Sequence, residues 1–296
     1  MHIPVLKEKV IEYLEPKPNE NFVDCTIGQG GHTVAILEKT GPRGKVLGLD
    51  QDSAFLSQLR QTIQKTYKNR LILAEGNFAH ITTIAQQEKF RSVRGILFDL
   101  GFSSLHIEES KRGFSFQKQE PLDMRYSLSN PVTAEKIVNY WSKTDIERIL
   151  KEYGEEQFSK EIAQAIAEQR SRSPIVKTTQ LVKIIEEATP RWYHKKRAHP
   201  ATKTFQALRI AVNQELENIK QALPQAVELL EPAGRIAVIS FHSLEDKIVK
   251  NFFKTHPSLA MITKKPITPS HLEQKANPRS RSAKLRVASK LPSHNT

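Results

Sequence analysis

Residues 22–32 read Phe22-Val23-Asp24-Cys25-Thr26-Ile27-Gly28-Gln29-Gly30-Gly31-His32, and this segment is the strongest indicator of the fold. Its apolar beginning predicts a strand over residues 22–26, and the glycines after it predict a tight turn into a helix over residues 33–39. Glycines allow the backbone to approach a ligand closely, and the first turn of a helix presents N–H groups without partners inside the helix. The stretch therefore predicts a ligand site at the carboxyl end of the first strand of an α/β domain.

Short apolar runs recur along the chain and alternate with helical patterns. Further strands are predicted over residues 45–50, 71–75, 95–100 and 234–241. The alternation predicts right-handed crossovers and a parallel sheet, and the continuous apolar runs indicate that helices cover both of its faces. The predicted fold class is α/β, with a doubly wound, Rossmann-like sheet. Residues 260–264 and 285–290 are expected to form a closing hairpin.

The strand pattern is interrupted between Ser110 and Asn213, where helical patterns predominate. The longest of these, over residues 145–170, is expected to break near Gly154. A later helix is expected to start at Ala201 and to end before Pro224. The predicted domains are the first part of the sheet domain over residues 1–109, an inserted all-helical substrate-recognition domain over 110–213, and the second part of the sheet domain, with a basic loop and tail, over 214–296.

The chain has 296 residues and a formal net charge of +13. This surplus favours a polyanionic partner, because phosphates form the densest common negative surface; the alternative is a basic protein with no such partner.

Cys25 is the single cysteine, so no internal disulfide can form, and its apolar surroundings predict burial. The sequence shows no signal-peptide pattern and no apolar run of the ~20 residues that span a bilayer, so we expect a cytoplasmic protein without membrane contact.

Polar residues at the ends of the predicted strands indicate a nucleoside cofactor. Asp50 ends the second strand, where a carboxylate can accept hydrogen bonds from both ribose hydroxyls. A dinucleotide fingerprint requires glycine where this chain has Thr33, whereas Asp24 favours the cationic S-adenosylmethionine. The alternative is a glycine-rich turn that binds no ligand. Phe78 is expected either to pack on adenine or to be an ordinary core aromatic, and Asp99 ends the fourth strand where a methyl acceptor would meet the cofactor.

Six motifs give the sequence a resemblance to a known family. They lie at residues 22–32, 99–104 (DLGFSS), 112–116 (RGFSF), 121–125 (PLDMR), 199–210 (HPATKTFQALRI) and 240–246 (SFHSLED). Over nearly its whole length the chain resembles the bacterial ribosomal RNA small subunit methyltransferase H family, also called MraW. The resemblance implies an α/β class I methyltransferase that transfers a methyl group from S-adenosylmethionine to N4 of a cytidine in the decoding region of 16S rRNA, with the small ribosomal subunit as partner.

The resemblance also implies the cofactor contacts of this chain. They fall on Gly30, Gly31, His32, Asp50, Phe78, Asp99 and His106. The family often has glutamine where this chain has His106, and an imidazole can likewise donate or accept a hydrogen bond. The family also frequently has proline where this chain has Leu105.

Four residues are candidates for the group that accepts the proton of the methylated amine. They are Asp99, Ser103, Ser104 and His242. Two alternatives stay open, namely that Asp99 serves the cofactor alone and that His242 is structural. The turn at residues 99–102 differs from the Asn/Asp-Pro-Pro-aromatic turn of other amino methyltransferases, so the chemistry of that turn does not transfer.

The helical insert is predicted to bind RNA. Residues 191–197 (RWYHKKR) mix cations with aromatic rings, which suits phosphate contact and base stacking; the alternative is a solvated basic loop. The predicted RNA contacts are Arg112, Arg125, Arg191, Trp192, Lys195, Lys196, Arg197, Lys203, Arg209, Arg279 and Arg281. No metal site is expected, because the cysteine, histidine and carboxylate residues lack metal-ligand spacing.

Other function classes remain as alternatives. One is a methyltransferase with the same cofactor domain that acts on DNA or protein, and another is a nonenzymatic RNA-binding assembly factor. Intact Gly30, Gly31 and Asp50 argue against the assembly factor, because a protein without catalysis has no need to keep them. The sequence leaves the oligomeric state open, with a dimer as one alternative.

Overall fold

The computed structural model describes residues 4–101, 110–195 and 198–292. The chain divides into two compact units. The sheet unit comprises Met1–Phe102 and Leu216–Thr296, and the helical unit comprises Ser103–Glu215. No helix within the described ranges is long and apolar enough to cross a membrane.

One sheet of seven strands organises the sheet unit. The strands are β1 (Asn21–Asp24), β2 (Val46–Asp50), β3 (Leu71–Glu75), β4 (Val93–Asp99), β5 (Leu230–Ser240), β6 (Leu259–Met261) and β7 (Lys284–Lys290). Their order is β3-β2-β1-β4-β5-β7-β6. Strands β1 to β5 are parallel to one another, whereas β7 is antiparallel to both β5 and β6. The predicted parallel sheet and the hairpin at its edge are therefore confirmed.

The helices that the structure describes are α1 (Lys7–Leu14), α2 (Gly31–Thr40), α3 (Ser53–Gln61), α4 (Ile63–Tyr67), α5 (Ile81–Gln87), α6 (Ala134–Tyr140), α7 (Lys143–Glu152), α8 (Ser159–Arg172), α9 (Thr178–Ala188), α10 (Arg191–His194), α11 (Ala201–Asn213), α12 (Glu215–Leu229), α13 (Ser243–Thr255) and α14 (His271–Ala276). Short 3-10 helices lie at Lys68–Arg70, Phe78–His80 and Pro278–Ser282. The last of these occupies the predicted basic loop, where Arg279 and Arg281 are exposed and Ser280 is buried.

Helices cover both faces of the sheet. Successive side chains of a strand point to opposite faces, so Val23 and Phe22 enter different cores. Val23 belongs to a cluster with buried residues of α5, α12 and α13, whereas Phe22 belongs to a cluster with buried residues of α1, α2 and α3. This arrangement confirms the doubly wound fold. Cys25 is 2% exposed in the first of these cores, and burial raises the pKa of its thiol well above the usual value.

The helical unit has its own hydrophobic core. Buried residues of α6 to α9 and α11, with Phe114, Leu122 and Met124, form one cluster. The predicted break near Gly154 is confirmed, because α7 ends at Glu152 and α8 begins at Ser159. A Cβ on Gly154 would lie 2.7 Å from the carbonyl oxygens of Leu150 and Lys203, so the crossing of the two chain segments requires glycine.

The single helix predicted from Ala201 to Leu223 is wrong. Helix α11 ends at Asn213, Gln214 adopts a left-handed conformation with φ of 52°, and α12 continues through Pro224 to Leu229. The break has a local cause, because the Asn213 side chain donates to Met124 O and accepts from Tyr126 N–H. Pro224 is exposed, and four buried neighbours, Ala222, Leu223, Ala226 and Val227, hold the helix against the core. Tertiary packing therefore overrides the helix-breaking tendency of proline.

Candidate active site

Three carboxylates lie at the carboxyl ends of adjacent parallel strands. Asp24 ends β1, Asp50 ends β2 and Asp99 ends β4. The strand order reverses between β1 and β4, and such a switch point opens a crevice at this edge of a doubly wound sheet. The sequence prediction of a ligand site at this edge therefore has the topology that it requires.

The Asp50 carboxylate fixes the loop that follows β1. Its Oδ2 accepts a hydrogen bond of 3.0 Å from the Gly28 N–H, and its Oδ1 accepts one of 3.0 Å from the Asp52 N–H. Gly28 adopts φ of 48°, a left-handed conformation that glycine reaches without steric cost. Burial raises the pKa of Asp50 to about 6, and the two N–H donors oppose that rise. The carboxylate thus retains lone pairs for a ligand while it holds the loop.

Thr33 has a structural role at the position where a dinucleotide fingerprint has glycine. Its hydroxyl donates a hydrogen bond of 2.7 Å to Oδ2 of Asp24, which is 1% exposed. Burial raises the pKa of Asp24, and the hydrogen bond from Thr33 opposes that rise. Glycine could not make this bond, so the departure from the dinucleotide pattern joins the first turn of α2 to the end of β1.

Gly30 and Gly31 are required by packing within the protein. Gly30 has φ of 78°, and a Cβ on it would lie 2.5 Å from Cδ1 of Ile63. A Cβ on Gly31 would collide with the ring of Pro4. The loop over residues 28–31 therefore packs closely against the N-terminal segment and α4. The sequence analysis explained these glycines by ligand binding alone and did not predict this packing.

His32 and Asp99 carry buried polar atoms without hydrogen-bond partners. Among the described residues, no group bonds to either ring nitrogen of His32 or to Oδ1 of Asp99. His32 Nε2 lies 3.5 Å from Asp99 Oδ2, and the two side chains are 7% and 21% exposed. The Asp99 N–H donates a hydrogen bond of 2.7 Å to the Thr26 hydroxyl, which ties the end of β4 to the end of β1. Sequence reasoning missed Thr26, since nothing in a strand pattern reveals a side-chain bond across strands.

The charges at this edge fit a cationic ligand better than a phosphate. After burial, which is the larger cause, the neighbouring Asp99 adds to the raised pKa of Asp24, and Asp24 adds to the raised pKa of Asp50. Buried polar atoms without partners are costly, so His32 and Asp99 are placed to gain hydrogen bonds from a ligand. A sulfonium and an ammonium group would relieve the repulsion, and a pyrophosphate would increase it.

Phe78 lies at the same edge, after β3. It is half-buried, and its ring meets the Phe98 ring edge-on with centroids 5.6 Å apart. One side of the Phe78 ring therefore packs in the core, in agreement with the alternative of an ordinary core aromatic. The rest of the ring is accessible. Its contact with adenine stays a prediction.

The other candidate catalytic residues divide into two groups. Ser103 and Ser104, with the predicted cofactor contact His106, lie outside the described residues. His242 precedes α13 and caps it, because its Nδ1 accepts a hydrogen bond of 3.5 Å from the Glu245 N–H. Its Nε2 lies 3.2 Å from Oε1 of the buried Glu245. These contacts favour the structural alternative for His242.

Several predicted RNA contacts have their donors engaged inside the helical unit. Arg125 pairs with Asp123 through two nitrogens, and Arg209 pairs with Glu215 in the same way. Arg112 donates to two backbone carbonyls, those of residues 125 and 126, and Lys203 donates to one, that of residue 155. The structure exposes Arg191, Trp192, Lys195, Arg279 and Arg281, whereas Lys196 and Arg197 lie outside the described residues. The sequence could not separate these groups, because a basic residue shows the same pattern whether its side chain faces solvent or an acceptor within its own unit.

A model of the MraW methylase family matches residues 1–291. The chain belongs to this family. The resemblance that the six motifs indicate is thereby confirmed, and this MraW methylase is a methyltransferase. It is 46% identical to the ribosomal RNA small subunit methyltransferase H of Heliobacterium mobile, over 98% of this chain and 99% of the relative. It is 42% identical to the protein of that name from Syntrophotalea carbinolica, over 98% of both chains. Among solved structures, an rRNA methylase from Streptococcus thermophilus aligns with a TM-score of 0.45 and 12% identity, over 98% of this chain and 99% of that one.

Proposed function

We propose that this MraW methylase transfers the methyl group of S-adenosylmethionine to N4 of a cytidine in the decoding region of 16S rRNA, within the small ribosomal subunit. The observation that carries the proposal is the edge formed by Asp24, Asp50 and Asp99 beside the buried His32, whose ring nitrogens have no hydrogen-bond partner among the described residues. The family model covers this chain from residue 1 to 291. The shared name of its relatives supports the RNA substrate.

The cofactor would be held by the loop after β1 and by the ends of β2 to β4. When bound, S-adenosylmethionine supplies a methyl group on a positively charged sulfur. Asp50 would accept hydrogen bonds from the ribose hydroxyls, and the exposed side of Phe78 would pack on adenine. The remaining proposed contacts are Gly30, Gly31, His32, Asp99 and His106.

The chain must do two things for the cytosine amine. The lone pair of N4 is delocalised into the ring, so the amine is a poor nucleophile, and holding it in line with the methyl group contributes several kcal/mol. The amine must also lose a proton as it is methylated, and an acceptor close to N4 would localise the lone pair. Of the candidates that the structure describes, Asp99 is favoured for this task because its Oδ1 has no hydrogen-bond partner within the described ranges.

The helical unit is proposed to recognise the RNA. It is a separate compact unit within the chain, between the two parts of the sheet unit, with a core of its own. A compact unit with a packed core suits the recognition of a folded substrate, because little conformational freedom is lost when preordered groups bind.

A methyl-transfer assay tests the proposal. Protein and labelled S-adenosylmethionine are incubated with small ribosomal subunits from a strain that lacks the activity, and in parallel with naked duplex DNA. We expect label in the RNA fraction only. Label in DNA or in ribosomal protein would assign the substrate to one of the alternative classes, and cofactor binding without any transfer would favour the nonenzymatic assembly factor.

Asp99→Asn tests the assignment of the proton acceptor. The amide keeps the shape of the side chain and an acceptor oxygen but is not a base, so kcat is expected to fall about a hundredfold or more while the affinity for the cofactor falls by a smaller factor. Turnover measured beside calorimetry of cofactor binding separates the two effects. A variant with weakened cofactor binding and an unchanged kcat would assign Asp99 to the cofactor alone.

A further inference from the structure

An aromatic cluster in the helical unit holds one ring on the surface. Trp192 of α10 is 54% exposed, and its ring packs against Phe158 and Tyr193, with centroids 5.7 and 6.0 Å away. Phe158 and Tyr193 also contact each other, with centroids 5.0 Å apart. The indole is therefore supported from within the protein and presents part of its surface to the outside.

The cluster is anchored to a buried carboxylate. Glu156 is 2% exposed, and its Oε2 accepts a hydrogen bond of 2.7 Å from the Tyr193 hydroxyl. Its Oε1 accepts a hydrogen bond of 3.0 Å from the Phe158 N–H. Burial and the bond to Glu156 raise the pKa of the Tyr193 phenol, so it remains a donor. A ring on such a support loses little conformational freedom when a ligand stacks on it.

Two cations flank the indole in sequence. Arg191 and Lys195 are exposed, and within the part of the chain that the structure describes no hydrogen bond or ion pair engages either side chain. In this respect they differ from Arg125 and Arg209, which are paired with carboxylates. An exposed ring beside available cations is the combination that binds single-stranded nucleic acid, where bases stack and phosphates contact the charges.

We propose that Trp192 is a stacking platform for an unpaired base of the RNA substrate, with Arg191 and Lys195 in contact with the adjacent phosphates. This inference rests on the proposed function and adds to it the place and the chemistry of one RNA contact. Bases inside a duplex have no free face, so the platform selects single-stranded RNA over paired RNA.

Tryptophan emission reports directly on the platform. The chain has two tryptophans, so Trp141→Phe leaves Trp192 as the only emitter. The probes are a stem-loop RNA with an unpaired pyrimidine-rich loop and a fully paired RNA duplex of the same length. The stem-loop is expected to quench the emission of Trp192 at concentrations where the duplex does not. Equal quenching by both RNAs would overturn the proposal, as would the absence of quenching by the stem-loop.

Substitutions provide a second, independent readout. Trp192→Ala is expected to weaken binding of the stem-loop by about fivefold to a hundredfold, and Trp192→Phe is expected to keep most of the affinity. Tyr140→Ala is the matched control, because Tyr140 is an 81% exposed aromatic residue of the same unit. Its affinity should equal that of the unmodified protein. Parental affinity in Trp192→Ala would overturn the proposal.

Cofactor affinity and methyl transfer to small subunits are measured on the same preparations. Unchanged cofactor binding in Trp192→Ala shows that the sheet unit is intact, and an unchanged far-UV circular dichroism spectrum shows that the helical unit keeps its helices, so a loss of RNA affinity belongs to the platform. If the unmodified protein methylates small subunits while Trp192→Ala binds the stem-loop normally, the platform is wrong and the proposed function stands. If the unmodified protein transfers no methyl group, the proposed function fails independently of the platform.

Discussion

The Asp50 carboxylate accepts one backbone hydrogen bond on each of its oxygens, from Gly28 and from Asp52. Each oxygen has further acceptor capacity, which two ribose hydroxyls can use. Asp50→Ala is therefore expected to weaken cofactor affinity by roughly tenfold or more, the scale of a lost charge-assisted hydrogen bond. Isothermal titration calorimetry measures this change, with Glu38→Ala on the exposed side of α2 as the control. Unchanged affinity in Asp50→Ala would remove the ribose assignment.

The raised pKa of Asp50 predicts a pH dependence with opposite signs for binding and for stability. Its pKa in the folded protein is about 6, above the value of 3.8 for a free carboxyl. The ionised form binds the ribose, so cofactor affinity should weaken as the pH falls through about 6. The folded protein holds this proton more tightly than the unfolded chain, so the contribution of Asp50 to the stability of the cofactor-free protein is lost as the pH rises from about 4 to about 6.

Asp50→Asn isolates this titration from that of other groups near neutral pH. Binding isotherms and thermal unfolding between about pH 4 and about pH 8 should show a smaller pH dependence in the variant than in the unmodified protein. Identical pH profiles for the two proteins would contradict the assignment of the titration to Asp50.

Thr26 positions Asp99 through one hydrogen bond, which its hydroxyl accepts from the Asp99 N–H. Thr26→Val keeps the shape of the side chain but leaves that N–H without its partner, which costs about 1 kcal/mol or more of stability. A displaced Asp99 should lower kcat by about tenfold to a hundredfold. Thr26→Ser restores the acceptor and should restore the rate. Steady-state kinetics give kcat for both variants. A fully active Thr26→Val would show that Thr26 does not position Asp99.

The sequence predicts the surroundings of some side chains and not of others. Asp50 was recognisable because its distance from the glycine loop is set by the length of one βα unit. The pairing of Arg209 with Glu215 was not, because a basic residue in a helical insert has the same pattern whether it faces RNA or a carboxylate of its own unit.

Among the secondary-structure elements, α12 contains a proline, Pro224, although proline usually ends a helix. It lies inside α12, where it is exposed and removes one helical hydrogen bond. Pro224→Ala should restore that bond without loss of packing and raise the free energy of unfolding by about 1–3 kcal/mol. Chemical denaturation measures the change, and Gln221→Ala on the exposed face of the same helix serves as the control. A less stable Pro224→Ala variant would mean that the proline supports a contact in the native state.

Strands were predictable because burial on both faces leaves continuous apolar runs, and β3 has the predicted bounds of Leu71 and Glu75. The end of α11 was not predictable. It depends on Asn213, whose side chain bonds to Met124 and Tyr126, almost ninety positions away in the chain. Contacts of that kind decide where a helix ends and leave no periodic signal around the residue itself.

For the whole molecule, the composition predicts a polyanionic partner. The structure shows which basic side chains are exposed and which are bonded within the protein. The net charge of +13 favours a polyanion, but Arg112, Arg125 and Arg209 are engaged in internal bonds. The division into a sheet unit and a helical unit gives cofactor binding and substrate recognition separate cores. This separation explains why variants of Trp192 and of Asp50 are expected to affect different steps.

The most direct test of the central claim identifies the methylated nucleoside. Small ribosomal subunits from a strain that lacks the activity are incubated with this protein and S-adenosylmethionine, the 16S rRNA is digested, and its nucleosides are separated and analysed by mass spectrometry. We expect N4-methylcytidine from the decoding region, present with the unmodified protein and strongly reduced with Asp99→Asn. A methyl group on another nucleoside, or 16S rRNA without any added methyl group, would contradict it.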